Sequence, residues 1–182
     1  MFSINSHHRL EGVEYCASPF FNERPIEEDI SLLVIHHISL PAGIFGGSYV
    51  KDLFLGRLET QVDPRFKPLQ GLEVSAHCFI RRDGSVIQFV PFNKRAWHAG
   101  KSCFQGRENC NDFSIGIELE GTGAIAYTKR QYQILADLTQ AIRAHYPQII
   151  LSRITGHENI APGRKTDPGP SFDWEDYLTR LS

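Results

Sequence analysis

The chain has 182 residues, of which 41% are hydrophobic and 22% charged, a composition that is ordinary for a globular protein. This length predicts one domain that buries a sizeable core without disulfides. A formal net charge of −2 with scattered basic residues argues against nucleic acid as a partner. No apolar run approaches the ~18 residues that would span a membrane.

The N-terminal sequence MFSINSHHRLEGVEY lacks the apolar core of a secretory signal peptide. If this start is native, the protein is expected in the cytosol. The four cysteines form no CxxC motif, so free thiols are expected rather than a disulfide between Cys103 and Cys110.

The first part of the chain changes character near residue 31. Residues 1–30 are polar and interrupted by prolines, which predicts an arm laid over a domain formed by residues 31–182. The run SLLVIHHISL, from Ser31 to Leu40, is apolar and rich in branched residues, as expected of a buried central strand. Apolar spacing predicts a short helix over Val50–Leu58, and the prolines of residues 59–71 predict a loop.

Two further strand signals follow. The pair Asp83-Gly84 separates two strand-like runs within Val74–Val90, which predicts a β-hairpin. The sequence SIGIELE, over Ser114–Glu120, alternates apolar and other residues in the manner of a strand.

The C-terminal third of the sequence contains signals for two helices. Thr128 and Gln131 have the spacing of a capping box, and an apolar stripe continues from there until Pro147. Apolar residues from Trp174 to Leu181 suit a short terminal helix. Together the elements predict a single α/β (α+β) domain with a central mixed β-sheet flanked by helices.

The strand Ser114–Glu120 carries the first candidate for chemistry. Because side chains alternate across a strand, Glu118 shares a face with Gly116 and opposes the apolar residues. A glycine beside a carboxylate leaves open space above the sheet, which suits a general base aimed into a cleft. The same pattern also fits an ordinary solvated strand face.

His36 and His37 end the apolar run of the first strand. Adjacent residues of a regular strand point to opposite faces, so only one of them is expected to enter a given site. A buried histidine in so apolar a run requires a polar partner. That partner is either a hydrogen-bonding group of the core or a metal ion.

The segment GHENIAPGRKTDPGP, over residues 156–170, is too rich in proline and glycine for a regular helix. Asp167 precedes Pro168 and is therefore biased to extended geometry, which places Lys165 and Asp167 on the same side of the chain. With His157 ten residues earlier, this segment offers two good zinc ligands and a cation. An exposed loop with a Lys–Asp ion pair explains the same residues equally well.

Three further residues are weaker candidates for contacts with a substrate. Trp97 and His98, next to Gly100, could line a groove for a sugar or a peptide, although the end of a packed hairpin fits them as well. Arg107 lies in a polar loop and could contact an anionic ligand.

Several motifs of this chain, in their order, resemble the zinc N-acetylmuramoyl-L-alanine amidases, which share their fold with peptidoglycan recognition proteins and T7-type lysozyme. The resemblance extends from about Val13 to Tyr177 and is closest to the cytoplasmic branch that recycles 1,6-anhydro-muropeptides. The motifs are SLLVIHHISLP, VSAHCFIRRDG, RAWHAG, CNDFSIGIELEG, TGHENIAP and RKTDPGPSFDW.

The resemblance implies a zinc amidase domain over residues 31–182 with one zinc ion per chain. It implies His36, His157 and Asp167 as the zinc ligands, Glu118 as the acid/base residue and Lys165 as the group that stabilises the transition state. The implied reaction is hydrolysis of the amide between the lactyl group of (1,6-anhydro-)N-acetylmuramic acid and the α-amino group of L-alanine.

Further expectations accompany this resemblance. The partner is a small muropeptide, with no nucleic acid or membrane involved, and the protein is expected to be a cytoplasmic monomer. His37 stands where relatives of the recycling type usually carry asparagine, a position that is expected to shape the substrate site.

Two other functions remain open at the level of sequence. A non-catalytic peptidoglycan-binding module is one, although such modules typically lack a zinc ligand. An amidase that acts on intact cell-wall peptidoglycan is the other. Residues 41–71 form either a mobile lid or a static excursion, since long connections in compact domains are usually functional.

Overall fold

The structure is a computed structural model that describes residues 2–181. Its centre is a six-stranded mixed sheet with the strand order β1-β5-β4-β9-β3-β10, accompanied by the two-stranded pairs β2-β6 and β7-β8. The strands are β1 (Glu14–Tyr15), β2 (Phe21–Asn22), β3 (Leu32–Ile38), β4 (Cys78–Ile80), β5 (Val86–Gln88), β6 (Arg95–Ala96), β7 (Cys103–Phe104), β8 (Arg107–Glu108), β9 (Ser114–Glu120) and β10 (Ile154–Gly156).

Helices cover both faces of this sheet. The α-helices are α1 (Tyr49–Phe54), α2 (Lys129–His145), α3 (His157–Ile160) and α4 (Trp174–Thr179). Short 3-10 helices occur at Pro64–Leu69, Cys110–Asp112 and Leu151–Arg153. The prediction of a central mixed sheet flanked by helices is confirmed.

The two long strands β3 and β9 form the middle of the sheet. They pair in parallel over their full length, from Leu32 opposite Ser114 to Ile38 opposite Glu120. Every residue of β9 is buried, because helices or loops cover both faces of the sheet. The alternation in SIGIELE therefore does not mark a solvated face.

The longest helix, α2, covers one face. Its buried residues, among them Leu135, Leu138 and Ile142, pack with Ile35 and Ile117 of the central strands. The predicted capping box is present: Gln131 N–H donates to the Thr128 hydroxyl and the Gln131 side chain accepts from Thr128 N–H. Helix α4 packs against α2, and its Tyr177 is buried in the same core.

The opposite face carries α1 and the excursion between residues 41 and 71. Val50, Leu53 and Phe54 of α1 pack with Phe79 of β4. The predicted helix in this region is confirmed, with the bounds Tyr49–Phe54. The predicted loop contains the 3-10 helix Pro64–Leu69, which the Asp63 side chain caps.

The first 30 residues are more than a covering arm. Glu14 and Tyr15 form the edge strand β1, which pairs in parallel with β5. Arg24 is buried and donates hydrogen bonds to carbonyl oxygens that include those of Phe92 and Ser114. This segment therefore contributes to the sheet and to the interior.

Two further expectations are met within residues 2–181. The hairpin strands β4 and β5 are antiparallel around Asp83-Gly84, and all four cysteines are free. In the part of the chain that the structure describes, no helix has the length and apolarity required to cross a membrane.

Replacing Thr128 tests how much the start of α2 contributes to stability. The hydroxyl accepts from Gln131 N–H and donates to the carbonyl oxygen of Arg82, so Thr128→Ala removes both bonds. We expect a loss of about 1–2 kcal/mol in the free energy of unfolding, measured by urea denaturation. Thr128→Ser keeps the hydroxyl and is the control; equal stability of the alanine variant and the parent would contradict this role.

Candidate active site

The pairing of β3 with β9 places the first two candidate residues together. His36 lies directly opposite Glu118 in the register. Residues paired in register project to the same face, so both side chains leave the sheet on the side that α1 covers. Both are buried.

The edge strand β10 places His157 at the same site. This strand is parallel to β3 with Gly156 opposite Ile35, so the next residue, His157, lies beside His36. His157 is the first residue of α3, where the chain turns away from the sheet. Parallel pairing thus brings together two histidines that are 121 positions apart in the sequence.

Asp167 is held in place by its neighbouring backbone. Its carbonyl oxygen accepts from Glu158 N–H at 2.8 Å, next to His157. The hydroxyl of Tyr127 donates to the carbonyl oxygen of Pro168 at 2.8 Å. These bonds fix the proline-rich segment against α3.

The potential ligand atoms of His36, His157 and Asp167 all lie within 4.8 Å of one another. Asp167 Oδ2 is 3.0 Å from Nδ1 of each histidine, and the two Nδ1 atoms are also 3.0 Å apart. This convergence forms a compact group of donor atoms. Sequence spacing alone did not bring His36 to the other two residues.

The hydrogen bonds of His157 show that this group suits a cation. Its Nε2 lies 3.0 Å from the carbonyl oxygen of Ala99, while its Nδ1 faces Asp167 Oδ2. A neutral imidazole has one N–H and can donate to only one of these oxygens. If the ring donates to the Ala99 carbonyl oxygen, a cation between the Nδ1 atoms and the carboxylate satisfies Asp167 Oδ2. The residues present therefore fit a metal ion.

Burial and charge give two of the three candidate ligands, His36 and Asp167, the protonation states that a metal requires. Burial lowers the pKa of His36 to about 4, which outweighs the opposing effect of Asp167 and keeps the ring neutral near pH 7. Burial alone would raise the pKa of Asp167, but hydrogen bonds from His157 and His36 hold it well below its usual range. Asp167 is therefore a carboxylate.

The pKa of Glu118 is shifted in the opposite direction from that of Asp167. Burial, followed by the charge of Asp167, raises its pKa well above the usual value, while Lys165 opposes the shift. Its Oε2 is buried and has no hydrogen-bond partner among residues 2–181. An unsatisfied buried carboxyl oxygen is costly in a purely structural role, and a functional site explains it better.

A cavity of about 270 Å³ opens over these groups. Glu118, His157, Lys165 and Asp167 line it together, so the structure brings the predicted catalytic and ligand residues to one site. Lys165 is exposed, which leaves its ammonium group available to a bound molecule.

One wall of the cavity is apolar and was not identified from the sequence as part of the site. It comes from Leu40, just after β3, and from residues 53–74, so the excursion considered as a lid does border the site. The apolar spacing of α1 was visible in the sequence, but it indicated core packing rather than a cavity. The wall residues are Leu40, Leu53, Phe54, Leu69, Leu72 and Val74.

The predicted substrate contacts have different outcomes. His37, Trp97 and His98 line the cavity. The Trp97 indole N–H donates to Asn22 Oδ1 at 2.7 Å, which fixes the ring. Arg107 is not among the lining residues, and its guanidinium pairs with Asp29 at 2.5 Å and lies over the Phe113 ring. Its contact with an anionic ligand stays a prediction.

His37 lies nearer to the site than strand alternation predicts. Its register partner Leu119 belongs to the core under α2, yet His37 is only partly buried and borders the cavity at the end of β3. A Cβ atom added at Gly123 would lie 3.6 Å from His37 Nε2.

The space above Gly116 is not open, contrary to the expectation from sequence. A Cβ atom at this position would lie 2.5 Å from the ring of His98, which occupies the space that the glycine leaves. The glycine therefore admits a histidine ring beside Glu118 rather than a substrate.

Two imidazoles and a carboxylate, next to an unsatisfied buried carboxyl and an exposed lysine, form a recognisable chemical arrangement. Such ligand sets hold catalytic zinc and leave a coordination position for water or substrate. The carboxyl can transfer protons, and the lysine can stabilise negative charge.

Comparisons with known proteins identify the family of the chain. A family model described as N-acetylmuramoyl-L-alanine amidase matches residues 26–170. The 1,6-anhydro-N-acetylmuramyl-L-alanine amidase AmpD of Citrobacter freundii is 60% identical over 157 residues, which are 86% of this chain and 83% of that protein.

Solved structures give the same result. A crystal structure of a selenomethionine derivative of AmpD matches with a TM-score of 0.95 and 53% identity, covering 98% of this chain and 99% of that chain. The E. coli amidase AmiD, in complex with the substrate anhydro-N-acetylmuramic acid-L-Ala-D-γ-Glu-L-Lys, matches with a TM-score of 0.61 and 30% identity, covering 84% of this chain and 57% of that chain. The chain belongs to the N-acetylmuramoyl-L-alanine amidase family.

Proposed function

We propose that this protein hydrolyses the amide between the lactyl group of 1,6-anhydro-N-acetylmuramic acid and the α-amino group of L-alanine, in the recycling of peptidoglycan fragments. The observation that carries the proposal is the convergence of His36, His157 and Asp167 beside Glu118 and Lys165 in one cavity. The identity to AmpD over most of the chain supports the anhydro-muropeptide as substrate. A complete set of reactive groups argues against a binding module.

The cofactor in this proposal is one zinc ion per chain, held by Nδ1 of His36, Nδ1 of His157 and the carboxylate of Asp167. Two nitrogen ligands and one oxygen ligand suit zinc better than magnesium or calcium, which prefer oxygen. When bound, zinc supplies a Lewis acid that polarises the scissile carbonyl and lowers the pKa of a water molecule.

Glu118 is the residue that moves protons in this proposal. Its raised pKa and unpaired Oε2 suit a carboxyl that accepts a proton from the attacking water and later donates it to the leaving amine of L-alanine. Strand β9 is buried and pairs with β3 and β4 on either side of Glu118, which fixes the position of this residue and limits the reorganisation that proton transfer requires.

Lys165 stabilises the negative charge that develops on the carbonyl oxygen. Its exposed side chain borders the cavity, where an ammonium group can approach a bound substrate. Electrostatic donors of this kind contribute about 3–4 kcal/mol to transition-state stabilisation in other enzymes. Asp167, two residues later, retains its carboxylate for the metal.

We further propose that the protein works as a monomer in the cytoplasm. Its four cysteines are free, including the exposed Cys103, which suits a reducing compartment. Cell fractionation of the native protein and its sedimentation in solution test these two statements.

Removal of a ligand should remove the metal. His157→Ala is expected to lose stoichiometric zinc and all measurable hydrolysis while the sheet remains folded, because the site then retains only two ligands. Elemental analysis of purified protein and circular dichroism measure this outcome. His7→Ala, an exposed histidine of the N-terminal segment, is the control. Normal zinc content and turnover in His157→Ala would refute the ligand assignment.

Glu118→Gln should separate proton transfer from metal binding. The amide keeps the shape of the carboxyl but cannot act as a base, so we expect normal zinc content, a KM close to that of the parent and a kcat lower by about 100-fold to 10,000-fold. Steady-state kinetics of muropeptide cleavage measure the effect. Glu59→Gln, at an exposed position, is the control. A kcat within a few-fold of the parent would leave Glu118 without a catalytic role.

The substrate itself is tested by comparing two substrates under identical conditions. The cavity is small and bounded on one side by the apolar wall, which suits a soluble fragment better than a strand of intact wall. We expect chromatography to detect efficient release of the stem peptide from a 1,6-anhydro-muropeptide and slow release from intact sacculi. Equal or faster release from sacculi would instead indicate an amidase of the cell wall.

A further inference from the structure

The chain segment behind the two histidine ligands contacts both of them from the side opposite to the proposed metal. His98 Nδ1 lies 2.9 Å from Nε2 of His36, and the carbonyl oxygen of the next residue, Ala99, lies 3.0 Å from Nε2 of His157. Adjacent residues therefore hold the outer nitrogens of both proposed ligands.

The backbone of this segment is fixed in turn by one side chain. Asn111 Oδ1 accepts from the backbone N–H of His98 at 3.1 Å and from that of Ala99 at 2.8 Å. The ring of His98 fits into the space left by Gly116, where a Cβ atom would lie 2.5 Å from it. His98 is thus fixed both at its backbone and at its ring.

The direction of the hydrogen bonds follows from the proton count. If His36 Nδ1 binds a metal, its one proton is on Nε2 and is donated to His98 Nδ1. The proton of a neutral His98 is then on Nε2, which lies 3.1 Å from the hydroxyl oxygen of Ser114. Both ring nitrogens of His98 are occupied, which leaves neither of them for a hydrogen bond to a substrate.

We propose that His98 is a positioning residue that holds His36 in the tautomer and orientation required for binding metal through Nδ1, rather than a residue that binds substrate. The proposal rests on the proposed function, in that it takes zinc as the metal held by His36. The carbonyl oxygen of Ala99 performs the same task for His157, so one short segment aligns both imidazoles.

Such outer contacts have a measurable effect on metal affinity. Partners that orient a histidine ligand and fix its tautomer typically change metal affinity by about 10-fold to 100-fold when they are removed. The effect here should require an acceptor at the position of His98 Nδ1, since that atom receives the proton of His36 Nε2.

Two variants of matched shape test this requirement. His98→Leu removes the acceptor, whereas His98→Asn retains a carbonyl oxygen close to the position of Nδ1. We expect zinc affinity, measured by competition with a chelator, to fall about 10-fold to 100-fold in His98→Leu and clearly less in His98→Asn. Urea denaturation of both metal-free variants shows whether they fold equally well.

Kinetics at saturating zinc distinguish a positioning role of His98 from a direct contact between His98 and substrate. The proposal predicts that KM of His98→Leu stays close to that of the parent once zinc is saturating. Zinc affinity equal to that of the parent together with a raised KM would show that His98 binds substrate and would overturn the proposal. Equal losses of affinity in the leucine and asparagine variants would also overturn it, because the acceptor would then have no effect.

A spectroscopic measurement reads the tautomer directly. Long-range ¹⁵N–¹H correlation spectra of the zinc-loaded parent should show His98 as a neutral ring with its proton on Nε2. A proton on Nδ1 would overturn the proposal. A parent protein that binds no zinc or cleaves no muropeptide refutes the proposed function instead, so the two failures are distinguishable.

Discussion

The parallel pairing of β3 with β9 on one side and β10 on the other is the constraint on which the site depends. It aligns His36 with Glu118 and delivers His157 beside them, although these residues are distant in the sequence. Active sites of parallel sheets commonly form at the carboxyl ends of the strands for this reason. The apolar residues of β3, buried on both faces, keep the register, because a slip by one residue would reverse His36 and Ile35.

Burial of the strands also determines the chemistry of the groups that they carry. His36 is removed from water and stays neutral, as its proposed role of metal ligand requires. The same dry surroundings would make an unpartnered polar group costly, and hydrogen bonds to His98 and Ala99 meet this requirement for the two histidines. Among the described residues that line the cavity, only Glu118 has a buried side-chain oxygen without a hydrogen-bond partner.

The sequence predicted local features well and long-range convergence poorly. The strand over Ser31–Leu40, the hairpin at Asp83-Gly84 and the capping box of Thr128 depend on neighbouring residues, and all three are present. The meeting of His36 with His157 depends on strand order, which no local pattern encodes, and it was expected only through the family resemblance. The ion pair of Arg107 with Asp29 was likewise not foreseen, because the two residues lie far apart in the sequence.

The two carboxyl groups of the site are held in opposite states by their surroundings. Asp167 faces two imidazoles and keeps its charge. Glu118 is buried, faces the charge of Asp167, and has no hydrogen-bond partner for Oε2, so it resists ionisation. Pairs of acidic groups whose pKa values are driven apart in this way often divide a reaction between them. A cation shared by the ligands would offset the repulsion between the two carboxyl groups, so metal binding would make Glu118 a carboxylate that can accept a proton. In the proposed mechanism the metal and the base are therefore coupled through Asp167.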